Sequence, residues 1–300
     1  MTEKDRMPEV EIADAVTGNW VDAYAPARTR PFLRLSRADR PIGTWLLLLP
    51  CWWGLLLAML HTGRASWFDL WIAIGCALGS FLMRGAGCTW NDITDRDIDG
   101  KVERTANRPI PSGQVGVRKA LVWMALQSFV SLLILLTFNS NAVLLGIAAL
   151  LPVAIYPFAK RFTWTAHTGS LGWPAVALYL AGIAWTLFYD TIYAHQDAED
   201  DALIGVKSTA RLFGDATPIW LRYFMVATVC LLGLAVILAG ITNVLVLVVA
   251  LGGPWAMGWH LAWQQRKFDA NDSVMLLKLF RSNRDAGLIP LPFFAVALFL

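Results

Sequence analysis

Residues 42–61 read IGTWLLLLPCWWGLLLAMLH, twenty positions with no acidic residue, no lysine and no arginine. At about 1.5 Å per residue such a run makes a helix of about 30 Å, the thickness of a bilayer's hydrocarbon core. The pattern recurs. Further apolar stretches lie at 68–90, 118–138, 141–158, 171–189, 218–239 and 242–262, with a shorter one at 286–300, giving eight candidate spans. Across the 300 residues 57% are hydrophobic and only 16% charged, and the mean hydropathy is +0.52, which a water-soluble surface does not tolerate. The runs are long and rich in Leu, Ala and Trp, not short and alternating. The reading is therefore an all-α polytopic membrane protein, a helical bundle and not a β-barrel.

Charge placement orients the spans. Arg28, Arg30, Arg34, Arg37 and Arg40 precede the first, so the amino terminus is expected in the cytosol. The 91–119 connection carries Arg96, Lys101, Arg104, Arg108, Arg118 and Lys119, and the fourth span ends at Lys160 and Arg161. The signs fit as far as this point. From there the spans at 171–189, 218–239 and 242–262 put the basic connection with Arg266, Lys267, Lys278, Arg281 and Arg284 on the wrong side. One additional crossing between residues 161 and 171 would repair every sign, yet Thr163–Ser170 is too short and polar to supply it.

Net charge of +3 spread over connections argues against a nucleic-acid ligand. The four cysteines and four histidines form no metal-ligand spacing, no Walker A or GxGxxG motif is present, and most of the 15 tryptophans read as core or interfacial anchors. His195 stands among acidic residues and is a weak candidate for a substrate contact. Residues 1–31 read as a disordered cytosolic tail; they have no apolar segment for a secretory signal and too many acids for a transit peptide. A bacterial inner membrane is the expected location, with the mitochondrial inner membrane as the alternative.

The chemistry concentrates at span ends. Asn91-Asp92-Ile-Thr-Asp95-Arg-Asp-Ile-Asp99 follows the second span, and the spacing of Asp92, Asp95 and Asp99 places them on one side of a continuing helix. Clustered carboxylates repel unless protonated or bound to a cation. Mg²⁺ takes oxygen ligands and commonly reaches a protein through a few carboxylates plus substrate phosphates, and Asn91 offers a further oxygen. A second cluster, DTIYAHQDAEDD, follows the span at 171–189; Asp190, Asp197 and Asp201 again share a face, beside Tyr193. Basic residues follow each cluster: Arg104 and Arg108 after the first, Lys207 and Arg211 after the second. The pairing suits a magnesium-bound diphosphate carrying a lipid tail. Ordinary solvated loop charge would explain either cluster alone, and it is the reading kept for Asp97 and Glu103. Arg84 lies inside the second span, where an arginine costs about 2.5–3.5 kcal/mol on insertion scales. It is expected to act near the site.

Four stretches together resemble the UbiA-type intramembrane aromatic prenyltransferases, in particular those acting on 4-hydroxybenzoate in ubiquinone synthesis. They are RLSRADRPIG (34–43), LMRGAGCTWNDITDRDIDGKVERTANRPIPSG (82–113), YPFAKRFT (156–163) and YDTIYAHQDAEDDALIGVKSTARLFG (189–214). The resemblance covers most of residues 32–300 and implies a transmembrane prenyltransferase domain there. It implies a bundle of nine helices around a cavity, with Mg²⁺ as cofactor and a polyprenyl diphosphate and 4-hydroxybenzoate as partners within membrane lipid. It assigns Asn91, Asp92, Asp95 and Asp99 to a first metal motif and Asp190, Asp197 and Asp201 to a second. Tyr193, Lys207, Arg104 and Arg108 would hold the diphosphate, and Arg84 with Arg40 would orient the acceptor's carboxylate. Asp95 and Asp197 are among the residues expected to be essential. The implied reaction joins the prenyl group to carbon 3 of 4-hydroxybenzoate by electrophilic aromatic substitution.

The chain departs from the family at one place. Roughly twenty residues that family members carry after YPFAKRFT are absent here, and Trp164-Thr165-Ala166-His167 joins the flanking parts directly. An internal deletion near 163–168 would account for the charge anomaly and leave about eight spans. Three crossings between the clusters would then put them on opposite faces, so an inactive variant is one expectation. Prenylation of another acceptor, such as a naphthoate, haem or chlorin, and a non-enzymatic membrane protein are the others. A transporter would need ionisable or broken-helix sites at mid-membrane, and the spans are poor in them.

Overall fold

A computed structural model describes residues 18–96, 100, 105, 107–148, 172–198 and 208–300. All regular structure among them is helical. In chain order the α-helices are α1 (Trp20–Tyr24), α2 (Arg30–Leu35), α3 (Ile42–Thr62), α4 (Trp67–Thr94), α5 (Val117–Leu135) and α6 (Ser140–Ala148). After residue 171 come α7 (Trp173–Ala194), α8 (Thr209–Phe213), α9 (Thr217–Leu238), α10 (Val244–Lys267), α11 (Ser273–Leu288) and α12 (Pro290–Ala297).

Six helical segments among the described residues are long and apolar enough to cross a membrane, against the eight expected: α3, α4, α5, α7, the stretch Thr209–Leu238 that contains α9, and α10. Two candidates account for the difference. The stretch 286–300 is not one rod, because α11 ends at Leu288 and Pro290 starts a helix of only eight residues. A proline is welcome at the first turn of a helix, while inside one it removes a ladder hydrogen bond and kinks or breaks it. The candidate at 141–158 begins as α6, and its second half lies outside the described residues, as does the suspected junction at 163–168.

The chain divides into two compact units, residues 1–45 with 77–137 and residues 46–76 with 138–300. In the first, α1 lies within residues 1–31, the expected tail, and α2 begins at its end. The Asn19 side chain caps α1 by accepting from the Val21 and Asp22 amides, and Arg34 pairs with Asp22 at 2.8 Å. Burial raises the Asp22 pKa, but hydrogen bonds from Arg34 and Asn19 and the arginine charge outweigh it, so the carboxyl lies below its ordinary value. Leu35 packs with Ile93, Ile110, Val115 and Ala120 into a small core. A polar tie runs through that core: Trp123 Nε1 donates to Ser36 Oγ at 2.8 Å, and Ser36 Oγ donates to Gln127 Oε1 at 3.1 Å.

In the second unit α7 packs along α9, α9 on α10, and α10 on α12. Its most buried layer joins aromatic rings to satisfied polar groups. Trp185 donates to Asn283 Oδ1 at 2.9 Å, Asn283 donates to Gln264 Oε1 at 3.0 Å, and Trp53 donates to the Gly287 carbonyl at 2.8 Å. In a dry interior each unmade bond would cost, so these contacts fix how the helices meet. The exposed faces are apolar, as a lipid-facing surface must be. Val122, Leu126 and Phe129 stand out from α5, and Trp255 and Trp259 from α10.

Candidate active site

Helix α4 has 28 residues and is about 42 Å long, about two turns more than a bilayer core requires. Its last turn, Asn91 to Thr94, is polar, and Arg84 lies about two turns before Asn91. Asn91 is exposed and Asp95 half-buried, one helical turn apart; the Asp95 amide donates to the Asn91 carbonyl at 2.9 Å.

Asp92 points elsewhere. Its carboxylate is wholly buried, accepting from Arg37 Nη2 at 2.5 Å and facing Arg108 Nη1 at 3.5 Å. Arg37 is itself buried and is the one described non-glycine residue with a positive φ, 56°, a conformation that costs energy and persists only where the surroundings hold it. Burial alone would lower the Arg37 pKa; the Asp92 carboxylate overrides it and holds the guanidinium above its ordinary value. Two residues on, Asp39 and Arg40 form a second buried pair, with Arg40 Nη2 3.0 Å from Asp39 Oδ2. Arg108 sits in a tight turn closed by the Ser112 amide and hydroxyl, both donating to the Arg108 carbonyl, at 3.0 and 2.6 Å. One carboxylate thus ties the corner before α3 and the loop after α4 to the end of α4.

Arg84 makes no ion pair among the described residues, and its Nε is buried without a hydrogen-bond partner.

The second cluster belongs to the other unit. Asp190 and Tyr193 are half-buried near the end of α7, and the Tyr193 ring packs tilted against Phe280 of α11, the centroids 4.5 Å apart. His195 is committed to structure. Its Nδ1 meets the Thr191 carbonyl at 2.8 Å, its Nε2 meets Thr217 Oγ1 at 3.3 Å, and its ring lies edge-on to Phe268. Asp99, Arg104, Asp201 and Lys207, with the side chain of Asp197, lie outside the described residues. Among the described residues no three acidic, His or Cys side chains converge on one point. Asn91 and Asp95 still fit a magnesium ion by chemistry, since Mg²⁺ needs only one or two protein oxygens when phosphate and water supply the rest. Asp92, engaged by two arginines, fits that task less well.

Sequence reasoning missed Arg37 and Asp39. Arg37 was counted only as a topology charge. The signal available was Asp39 embedded among the arginines before the first span, an acid with no reason to sit in a positive-inside flank unless it pairs.

Comparison with known proteins converges on one fold. A UbiA homolog from Archaeoglobus fulgidus, solved with GPP and Mg²⁺, superposes with a TM-score of 0.64 at 18% identity, over 90% of this chain and 100% of that one. A UbiA homolog from Aeropyrum pernix K1, solved without ligand, gives 0.62 at 20% identity, over 84% and 96%. In sequence, the mitochondrial 4-hydroxybenzoate polyprenyltransferase of Rattus norvegicus is 44% identical over 284 residues, 88% of this chain and 74% of that protein. The corresponding protein of Arabidopsis thaliana is 40% identical over 309 residues, 95% and 74%. The fold and the polar helix end define an intramembrane prenyltransferase-type helical bundle. The match to the UbiA prenyltransferase family runs from residue 47 to residue 283, and the chain belongs to that family.

Proposed function

We propose that this chain transfers a polyprenyl group from polyprenyl diphosphate to carbon 3 of 4-hydroxybenzoate. The observation that carries this reading is Arg84, an arginine within the apolar span helix α4 with a buried Nε and no carboxylate partner among the described residues. An acceptor bearing a carboxylate would complete it. The relatives at 40–47% identity are 4-hydroxybenzoate polyprenyltransferases, which favours this acceptor over a haem or a chlorin.

In this mechanism Arg84 binds the acceptor's carboxylate and orients the ring, with Arg40, which is paired with Asp39, assigned to assist. Arg108, braced by Asp92, lies at the same helix end, where a diphosphate needs cationic neighbours. Asn91, Asp95 and Asp99 would hold Mg²⁺, which when bound neutralises charge on the departing diphosphate. Asp190, Asp197 and Asp201 would have the same task at the end of α7, with Tyr193, Lys207 and Arg104 as further diphosphate contacts. As the bond from prenyl carbon 1 to oxygen breaks, ring carbon 3 supplies the electron pair for the new carbon–carbon bond. Loss of the proton from that carbon restores aromaticity, and the products are 3-polyprenyl-4-hydroxybenzoate and diphosphate. Exclusion of bulk water would protect the allylic cation from hydrolysis.

The test is product analysis in membranes from a host lacking its own enzyme, offering 4-hydroxybenzoate and a hydroxynaphthoate together. The expected product is 3-polyprenyl-4-hydroxybenzoate alone; a prenylated naphthoate would reassign the acceptor.

A second reading is favoured by the charge pattern around residues 161–171: a chain lacking one crossing and inactive for that reason. Labelling of single cysteines placed in 91–119 and 190–217 separates the two readings. Both on one face supports the enzyme, and opposite faces support the inactive variant. The cytosolic face of a bacterial inner membrane is the proposed setting.

A further inference from the structure

Gly43 is the second residue of α3, and its backbone does not need glycine. It lacks the positive φ found at Gly18, Gly63, Gly113, Gly214 and Gly240, and alanine is the better helix former. What glycine provides here is space. A Cβ built on Gly43 would overlap the Arg84 guanidinium, meeting Nη1, Cζ and Nη2 together. The charged head of Arg84 occupies the volume that any other residue's side chain would fill. Both residues lie in the first compact unit.

We propose that Gly43 is a positioning residue that seats the Arg84 guanidinium, and through it sets the affinity for the carboxylate of an aromatic acceptor. This deepens the reading above and rests on it. The overlap involves only the far end of a flexible side chain, so Gly43→Ala displaces the guanidinium without requiring the backbone to move. The consequence falls on recognition and not on folding. A charge-assisted hydrogen bond lost or misaligned corresponds to about a ten- to hundredfold change in affinity.

The experiment is a double-mutant cycle on the full chain in detergent, measuring 4-hydroxybenzoate binding by calorimetry alongside KM for each substrate. Gly43→Ala is expected to weaken 4-hydroxybenzoate binding and raise its KM at least about tenfold, with KM for the polyprenyl diphosphate within about twofold of wild type. In an Arg84→Ala background the same change is expected to have no further effect, because its action runs through that guanidinium. Binding of the neutral analogue 4-hydroxybenzamide is expected to be insensitive to Gly43→Ala. If Gly43→Ala alone does not accumulate but the double variant does, the steric conflict with Arg84 is confirmed. Gly43→Ala binding 4-hydroxybenzoate as wild type does, or weakening it equally in both backgrounds, overturns the proposal and leaves the proposed function intact. A wild-type chain that transfers prenyl groups only to an uncharged acceptor overturns both.

Discussion

Replacing Asp92 by asparagine separates bracing from metal binding. The side chain keeps its size and loses its charge, leaving Arg37, 8% exposed in its side chain, and Arg108, 13% exposed, around a neutral group. Removing one partner of a buried ion pair costs about 3–5 kcal/mol, because the remaining charge stays desolvated. Here that charge is shared with Arg108, and asparagine retains an acceptor oxygen, so the lower end, about 3 kcal/mol, is the expectation. At an unfolding entropy of about 2.1 cal/mol/K per residue, a chain of 300 residues shifts by about 1.6 °C per kcal/mol, so the melting temperature should fall by about 5 °C. Fluorescence-detected size exclusion after heating, in detergent, reads it directly. The Mg²⁺ concentration giving half-maximal turnover in the surviving protein should stay within about threefold of wild type, less than the tenfold or greater change typical of a lost metal ligand's support. A variant that melts like wild type but needs far more Mg²⁺ would refute the brace and return Asp92 to the metal set.

Three further outcomes follow from the same geometry. Asp95→Asn, at an incompletely buried position, should melt within about 0.5 kcal/mol of wild type and yet abolish Mg²⁺-dependent transfer. Asn283→Leu strips the Trp185 indole and Gln264 of their shared partner, and should destabilise the protein by about 1–3 kcal/mol in the same melt, with the acceptor's KM unchanged. Asp22, whose carboxyl lies below its ordinary pKa in the folded chain, contributes stability that is full above about pH 4 and is lost as pH falls through the folded value. The gap between the wild-type and Asp22→Asn melting temperatures should therefore narrow on acidification and be constant at higher pH.

The membrane class and the helices were legible because a span's signal is additive. Each of twenty residues in 42–61 contributes, and no neighbour is needed to interpret it. The acidic helix end was legible for a similar reason, since carboxylates at regular spacing beside a span have few other uses. What could not be read was direction. Asp92, Asp95 and Asp99 share a side of an ideal helix, but Asp92 turns into a core that exists only once Leu35, Ile93 and Ile110 have packed and brought Arg37 and Arg108 to it. The role of Gly43 depends on a contact with a residue 41 positions away, and nothing local marks it. The last span failed for a nearer cause. Hydropathy counted 286–300 as one segment, although Pro290 divides it.

The most direct test is transfer itself. Membranes containing the inserted chain are given labelled 4-hydroxybenzoate, a polyprenyl diphosphate and Mg²⁺, with Asp95→Asn and Arg84→Gln prepared in parallel. The account predicts a 3-polyprenyl product that is lost in both variants and on chelation of the metal. Well-inserted protein that forms no such product would contradict it, and would leave the family relationship as ancestry without the chemistry.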